Sequence, residues 1–176
     1  LSLMPLFTWT LALHHAIAGA LAPFTFVFFQ GVFDAGTCLL VAGIARMVAP
    51  RAALLAGYSA AFTPTFIVLS GLVYTDALFA FFATAGLYAA LRWLAAPNWR
   101  WAILLGAALG LAALMRVAIV PWAVALGLFI AVVALVRRQV RIAQLAQLLA
   151  AGALLAACLA PVLARNVAVY GAWSLT

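Results

Sequence analysis

Long apolar runs, each about as long as a bilayer crossing, alternate along this chain with short segments carrying arginine, proline and tryptophan. A spanning helix needs about 20 mostly apolar residues, fewer when its flanks snorkel. By this measure the chain predicts six spans: A over 24–48, B over 52–69, C over 76–93, D over 101–115, E over 117–136 and F over 142–164. Taken as one helix, residues 101–136 would run ~54 Å at 1.5 Å per residue, too long for a single crossing. Arg116 and Pro121 interrupt that stretch, which therefore reads as a hairpin of two short helices. Residues 1–22 are apolar enough to span, yet Met4-Pro5 and His14-His15 favour an interfacial helix lying along the membrane. The expected fold is all-α, a polytopic transmembrane bundle of about six spans plus an N-terminal interfacial helix.

Composition narrows the class. Of 176 residues, 71% are apolar, against about 45–50% in a soluble domain. Mean hydropathy is +1.31. A soluble globule of this size leaves too much surface exposed to hide so much apolar area, and disordered chains are polar and charge-rich. The charged residues are nine arginines and two aspartates, a formal net charge of +7. Nucleic-acid binding is excluded as the meaning of that charge, because the arginines stand singly or in small groups between uncharged runs, as in membrane-protein loops. Cys38 and Cys158 lie inside apolar runs and form no disulfide framework. The chain opens at Leu1 in apolar sequence and closes at Thr176. The expectation is a single transmembrane domain over 1–176, a piece of a longer polytopic protein.

Arginine placement orients the bundle. Arg46 and Arg51 lie between spans A and B, Arg92 and Arg100 between C and D, and Arg137, Arg138 and Arg141 between E and F. These three connections share one side and hold seven of the nine arginines, which marks that side as cytoplasmic. Trp93, Trp99 and Trp101 form an aromatic belt around the second connection. The opposite, outer side carries Asp76, Arg116 and Arg165. Ionisable groups at membrane depth are expensive and face a partner or a polar cavity.

Each of these residues admits two readings. Asp76 is either an N-cap for span C or a carboxylate that orients a polar substrate or holds a metal. Arg116 follows the small-xxx-small pair Gly106 and Gly110, a helix-packing pattern. Its guanidinium either snorkels to lipid phosphates in general or grips one phosphate with its planar fork. Arg165, followed by Asn166, is either a cationic C-terminal cap for span F or a second phosphate contact. Asp34, with Gln30 four residues earlier on one face of span A, suits an interhelical hydrogen bond, with a substrate role behind it. His14 and His15 are adjacent, point to different faces, and make no metal pair. No Walker motif, GxSxG, CxxC or dinucleotide-binding glycine motif occurs.

The order of these features resembles the GT-C glycosyltransferases that use polyprenyl-phosphate sugars, the superfamily of protein O-mannosyltransferases and aminoarabinose transferases. The matching stretches are Met4-Pro5-Leu6 with Gly19, Ala52 to Gly57 leading to Thr63-Pro64, and Ser70-Gly71 to Thr75-Asp76-Ala77-Leu78-Phe79. Gly110-Leu111-Ala112-Ala113-Leu114-Met115-Arg116 looks like the family's Gly-Leu-Ala-x-Leu-x-Arg element, although Val117 stands where a proline is usual. Ala160-Pro161-Val162-Leu163-Ala164-Arg165-Asn166 with Tyr170-Gly171 looks like its Pro-x-x-x-Arg-Asn end.

The resemblance implies a transferase moving a sugar from polyprenyl phosphate to a lipid, glycan or protein acceptor at the outer face of a bacterial inner membrane, among membrane lipids. It implies that Asp76 positions the donor phosphate or a divalent metal, and that Arg116, Arg165 and Asn166 bind substrate. The family's catalytic acid belongs to a first outer loop upstream of Leu1, so no catalytic residue is assigned here and the 176-residue piece is expected to be inactive alone. Two other classes stand beside this one: a transporter or lipid flippase, and a non-catalytic scaffold. No internal repeat supports the transporter.

The topology predicts that single cysteines at 46 and 92, in a background lacking Cys38 and Cys158, react with an impermeant reagent from the cytoplasmic side. Cysteines at 75, 116 and 165 should react from the other side. Labelling of positions 46 and 75 from one side would overturn the arrangement.

Overall fold

The computed structural model describes residues 5–136 and 142–171, and among them every regular element is helical. Helix α1 (Pro5–Ala18) begins on proline, whose fixed φ and missing N–H suit a first turn. The chain then doubles back, since the Phe7 and Phe26 rings meet edge to face with centroids 5.7 Å apart. A short 3₁₀ turn, Gly19–Leu21, makes the reversal. Gly19 sits there at φ +53°, a left-handed conformation open to a residue without Cβ. Helix α2 (Ala22–Val48) follows.

The second predicted span is not one helix. Helix α3 (Ala53–Ala61) stops, and α4 (Pro64–Ser70) restarts on a proline. Pro64 offers no N–H to a carbonyl behind it and pushes Thr63 out of the helical region. The freed groups are satisfied locally: Thr63 Oγ1 donates to the Ser59 carbonyl at 2.8 Å, and the Thr63 carbonyl accepts from the Phe66 and Ile67 amides. At about 13 Å, α3 alone reaches less than half-way through a hydrocarbon core.

Helices α5 (Asp76–Ala95) and α6 (Trp99–Met115) form an antiparallel hairpin. Asn98 caps α6, its side-chain oxygen accepting the Trp101 amide at 3.1 Å. Helix α7 (Ile119–Val136) begins just beyond Arg116, as the hairpin reading expected. Pro121 falls in its first turn, where an amide has no helical partner, so it starts the helix rather than breaking it. Helix α8 (Ile142–Tyr170) carries the last span past its expected end at Ala164 and runs straight through Pro161. Gly171 terminates it at φ +64°, its amide donating to the Val167 carbonyl at 3.0 Å. Arg137, Arg138 and Arg141, expected in the basic connection between the last two spans, lie outside the described residues.

Three stretches, Pro5–Val48, Asp76–Ala95 and Ile142–Tyr170, are long and apolar enough to cross a membrane, and α6 and α7 are shorter apolar helices. The chain is an all-helical membrane bundle. All six expected segments are present as helix, five continuous and the second broken.

Helix α6 is the most enclosed of these elements, with Ala102, Leu105, Gly106, Ala108, Leu109, Gly110 and Ala112 to Met115 all buried. Its two glycines lie against α8, which runs parallel to it. A Cβ on Gly106 would fall 2.9 Å from the Ala151 Cα, and one on Gly110 would fall 2.8 Å from Cys158 Sγ. At Gly106 the contact is thus backbone against backbone, and at Gly110 backbone against the small Cys158 side chain, as small residues permit in membranes. Buried Trp93 of α5 donates through Nε1 to the Gln147 side chain of α8 at 2.8 Å, tying these helices together as well.

Around the opposite end, Phe26, Ala77, Leu78 and Met115 form one cluster with Phe7 of α1. Helix α1 therefore crosses the end of the bundle where α2 and α5 begin and α6 finishes.

Gly106→Ala should lower the thermal midpoint of the detergent-solubilised protein, because the added methyl meets rigid backbone, a cost of about 1–3 kcal/mol. Gly152→Ala on α8, where a Cβ would meet nothing within 4 Å, should match or exceed wild type. Equal midpoints for the two would contradict the described contact.

Candidate functional site

The α5–α6 hairpin decides what happens at the end of the bundle where α5 begins. Asp76 is the first residue of α5 and Arg116 the residue that leaves α6, so an antiparallel hairpin returns one to the other. Arg116 Nη2 lies 2.5 Å from Asp76 Oδ1. Arg116 is in extended conformation (φ −147°, ψ 118°), and its backbone amide donates to the Ala112 carbonyl, so it closes α6 while its side chain turns to the acid. The guanidinium carbon stands 5.6 Å from the centre of the Phe79 ring, one turn along α5 from Asp76. An aromatic face and a carboxylate thus fix the fork on two sides. The Arg116 side chain remains 47% exposed and that of Asp76 25%. This leaves guanidinium N–H groups open to a ligand.

This geometry displaces the capping reading of Asp76. The N-cap of α5 is Thr75, which makes no side-chain cap hydrogen bond, and the Asp76 carboxylate is turned to Arg116. Arg116, half exposed, has a specific partner within the protein in Asp76.

The other expected site residues stand apart from the pair. Arg165 is exposed on α8 and, among the described residues, has no ion-pair partner. It is not a C-terminal cap, because α8 continues to Tyr170. Asn166, next to it, is buried at 7% exposure. Leu159 packs on Ala112 and Ala113 near the end of α6, and α8 runs parallel to α6. Arg165 therefore belongs to the same end of the bundle as Arg116. Among the described residues no three His, Cys, Asp or Glu side chains gather as metal ligands. Asp76 brings one carboxylate, already engaged with Arg116.

Below the pair, α2 carries a polar face. Gln30 is fully buried and donates through Nε2 to the Tyr74 carbonyl at 2.5 Å. Gln30 Oε1 and Asp34 Oδ2 are buried with no hydrogen-bond partner among the described residues. Thr37, one turn further, donates to the Phe33 carbonyl. The interhelical bond expected of this face exists, but Gln30 makes it, to backbone of the α4–α5 connection. No pattern in the sequence names Tyr74 as the partner. The only signal is a glutamine in an apolar helix, which must find one. His14 donates through Nδ1 to the Thr10 carbonyl at 2.8 Å and packs against Phe26 and Phe29, a structural use of its ring.

The family model for dolichyl-phosphate-mannose-protein mannosyltransferase matches residues 4–164. The chain belongs to this family. It is a membrane glycosyltransferase of the GT-C type, and membership decides against the transporter and scaffold alternatives. Comparison with curated proteins and with solved structures returns no match. The matched range spans the family elements read from the sequence as far as Ala164, and it includes both Asp76 and Arg116. Arg165 and Asn166 fall just beyond it.

Proposed function

We propose that this mannosyltransferase-family chain carries the donor-phosphate site of an enzyme that moves a sugar from a polyprenyl phosphate to a lipid, glycan or protein acceptor. The reaction takes place at the outer face of a bacterial inner membrane. The Asp76–Arg116 pair at the end of the α5–α6 hairpin carries this reading. In such a transfer the acceptor hydroxyl gives up its proton to a base, its oxygen attacks the anomeric carbon, the bond from that carbon to the phosphate oxygen breaks, and polyprenyl phosphate leaves with increased negative charge. A cation held ready where that charge develops lowers the barrier without reorganising at the moment of reaction. Arg116 is the group so placed. Asp76 and the Phe79 ring keep its fork from wandering, and the open N–H groups are directed to phosphate oxygens two at a time.

Arg165, at the same end of α8, is assigned as a second cation for the departing phosphate, with Asn166 beside it. Neither carboxylate of the chain is assigned as the base, since Asp76 is bound to Arg116 and Asp34 lies within α2. The outer-face assignment is supported by Arg46 and Arg92, which close α2 and α5 at the opposite end. The lipid part of the donor is supported by an apolar cavity of about 310 Å³ between α6, α7 and α8, lined by Leu109, Gly127, Ile130, Leu148 and Gly152 among others.

In the complete gene product, Arg116→Lys keeps the charge but loses the fork, and should cut turnover by about 10- to 100-fold, the scale of hydrogen bonds to a charged group. Arg137→Lys, in the basic connection, should not. Asp76→Asn should also impair turnover while leaving expression intact. Wild-type turnover in both Arg116→Lys and Asp76→Asn would remove the site.

Gly127→Leu enters open space, since a Cβ there meets nothing within 4 Å. It should raise KM for a long-chain donor and spare a short-chain one. Equal effects on the two donors would sever the cavity from the lipid tail.

A further inference from the structure

The Asp76–Arg116 pair depends on a segment that has no helix to hold it. Residues 71–75 between α4 and α5 are not helical, so their backbone groups lack a regular ladder. Within the connection the Tyr74 amide donates to the Leu72 carbonyl at 3.0 Å. The Tyr74 carbonyl, two residues before Asp76, is taken by Gln30 Nε2 at 2.5 Å. Thr75 then opens α5 without a side-chain cap, and the first helical bond there runs from the Phe79 amide to the Thr75 carbonyl. A helix start lacking a cap frays unless something else secures it. Gln30 is the side chain that does so from outside the segment, and it is enclosed entirely within the protein. A primary amide in an apolar interior is costly unless hydrogen-bonded, and this one donates to that carbonyl while its Oε1 has no partner among the described residues.

We propose that Gln30 is a positioning residue, which pins the Tyr74 carbonyl so that the Asp76 carboxylate is presented to Arg116 and the guanidinium is held for the donor phosphate. This assignment rests on the reading of Asp76 and Arg116 given above. Gln30 itself touches no substrate. It acts through two intervening residues, and its effect on catalysis runs entirely through Asp76.

A double-mutant cycle on turnover of the complete gene product, reconstituted with a polyprenyl-phosphate sugar, tests this. Gln30→Met keeps the shape and removes the donor; it should lower kcat about tenfold, the scale of one buried hydrogen bond. Combined with Asp76→Asn it should be no worse than Asp76→Asn alone, because the residue acted upon is already disabled. Additive losses, or a wild-type kcat in Gln30→Met, would overturn the proposal. If Gln30→Met does not fold, Gln30→Leu carries the same comparison. Amide exchange gives a readout independent of activity: residues 71–78 should exchange faster in Gln30→Met while α6 and α8 stay unchanged. Unchanged exchange over 71–78 sinks the clamp whatever the kinetics. Wild-type turnover in Asp76→Asn, with faster exchange in Gln30→Met, leaves the clamp standing and overturns instead the reading of the donor site.

Discussion

Within a bilayer no water is at hand to satisfy a polar group, so each one must find its partner in the protein. Nearly every polar contact in this chain follows from that constraint. Trp93 and Gln147 satisfy each other across two helices. Thr10, Thr25 and Thr37 return their hydroxyls to carbonyls of their own helices. Thr63 does the same beside the break that Pro64 imposes. Asp76 and Arg116, the two described charges that approach each other most closely, neutralise one another at the end of the bundle. The exceptions are informative for the same reason. Among the described residues, Gln30 Oε1 and Asp34 Oδ2 are buried acceptors without a donor, and they lie beneath the segment that carries Asp76.

The apolar majority supplies the frame in which those contacts are met. Helix association in lipid gains little from apolar transfer, since lipid tails are as apolar as leucine, and relies on close packing instead. Helix α6 shows how this works. Gly106 and Gly110 bring its backbone onto α8, while Gly86 of α5 receives the Leu109 side chain on another side. On α2, Gly36 and Gly43 admit the rings of Phe81 and Tyr88 from α5. Glycines thus fix which helices lie together and at what register. The register of α5 against α6 in turn brings Asp76 to the level of Arg116.

The donor-phosphate role proposed for the pair rests on its setting. An arginine at the tip of a hairpin, half exposed and steadied by a carboxylate and a ring, is pre-organised for an anion in a way that a free surface arginine is not. The cost is carried by neighbours with no chemistry of their own: Phe79, Thr75, and Gln30 at one remove. Helix α1, lying across this end through Phe7 and His14, encloses the same region from above.

By itself the sequence determined the class and the approximate limits of the helices, and it singled out a short roster of residues able to do chemistry. Those properties depend on local composition: apolar length sets a span, and a rare acid or amide stands out against leucine and alanine. The hairpin at Arg116 was legible for that reason. The break at Thr63-Pro64 is hidden from apolar length, which continues on both sides of the proline, and Arg165 and Asn166 look like the terminus of α8 that Gly171 in fact makes. Partner choice was out of reach. These helices are apolar on nearly every face, so periodicity does not say which side meets which neighbour. Only the packed structure decided that Asp76 meets Arg116, that Gln30 reaches Tyr74 and that Arg165 stands apart, because those pairings are set by where glycines let backbones approach and where a hairpin returns the chain.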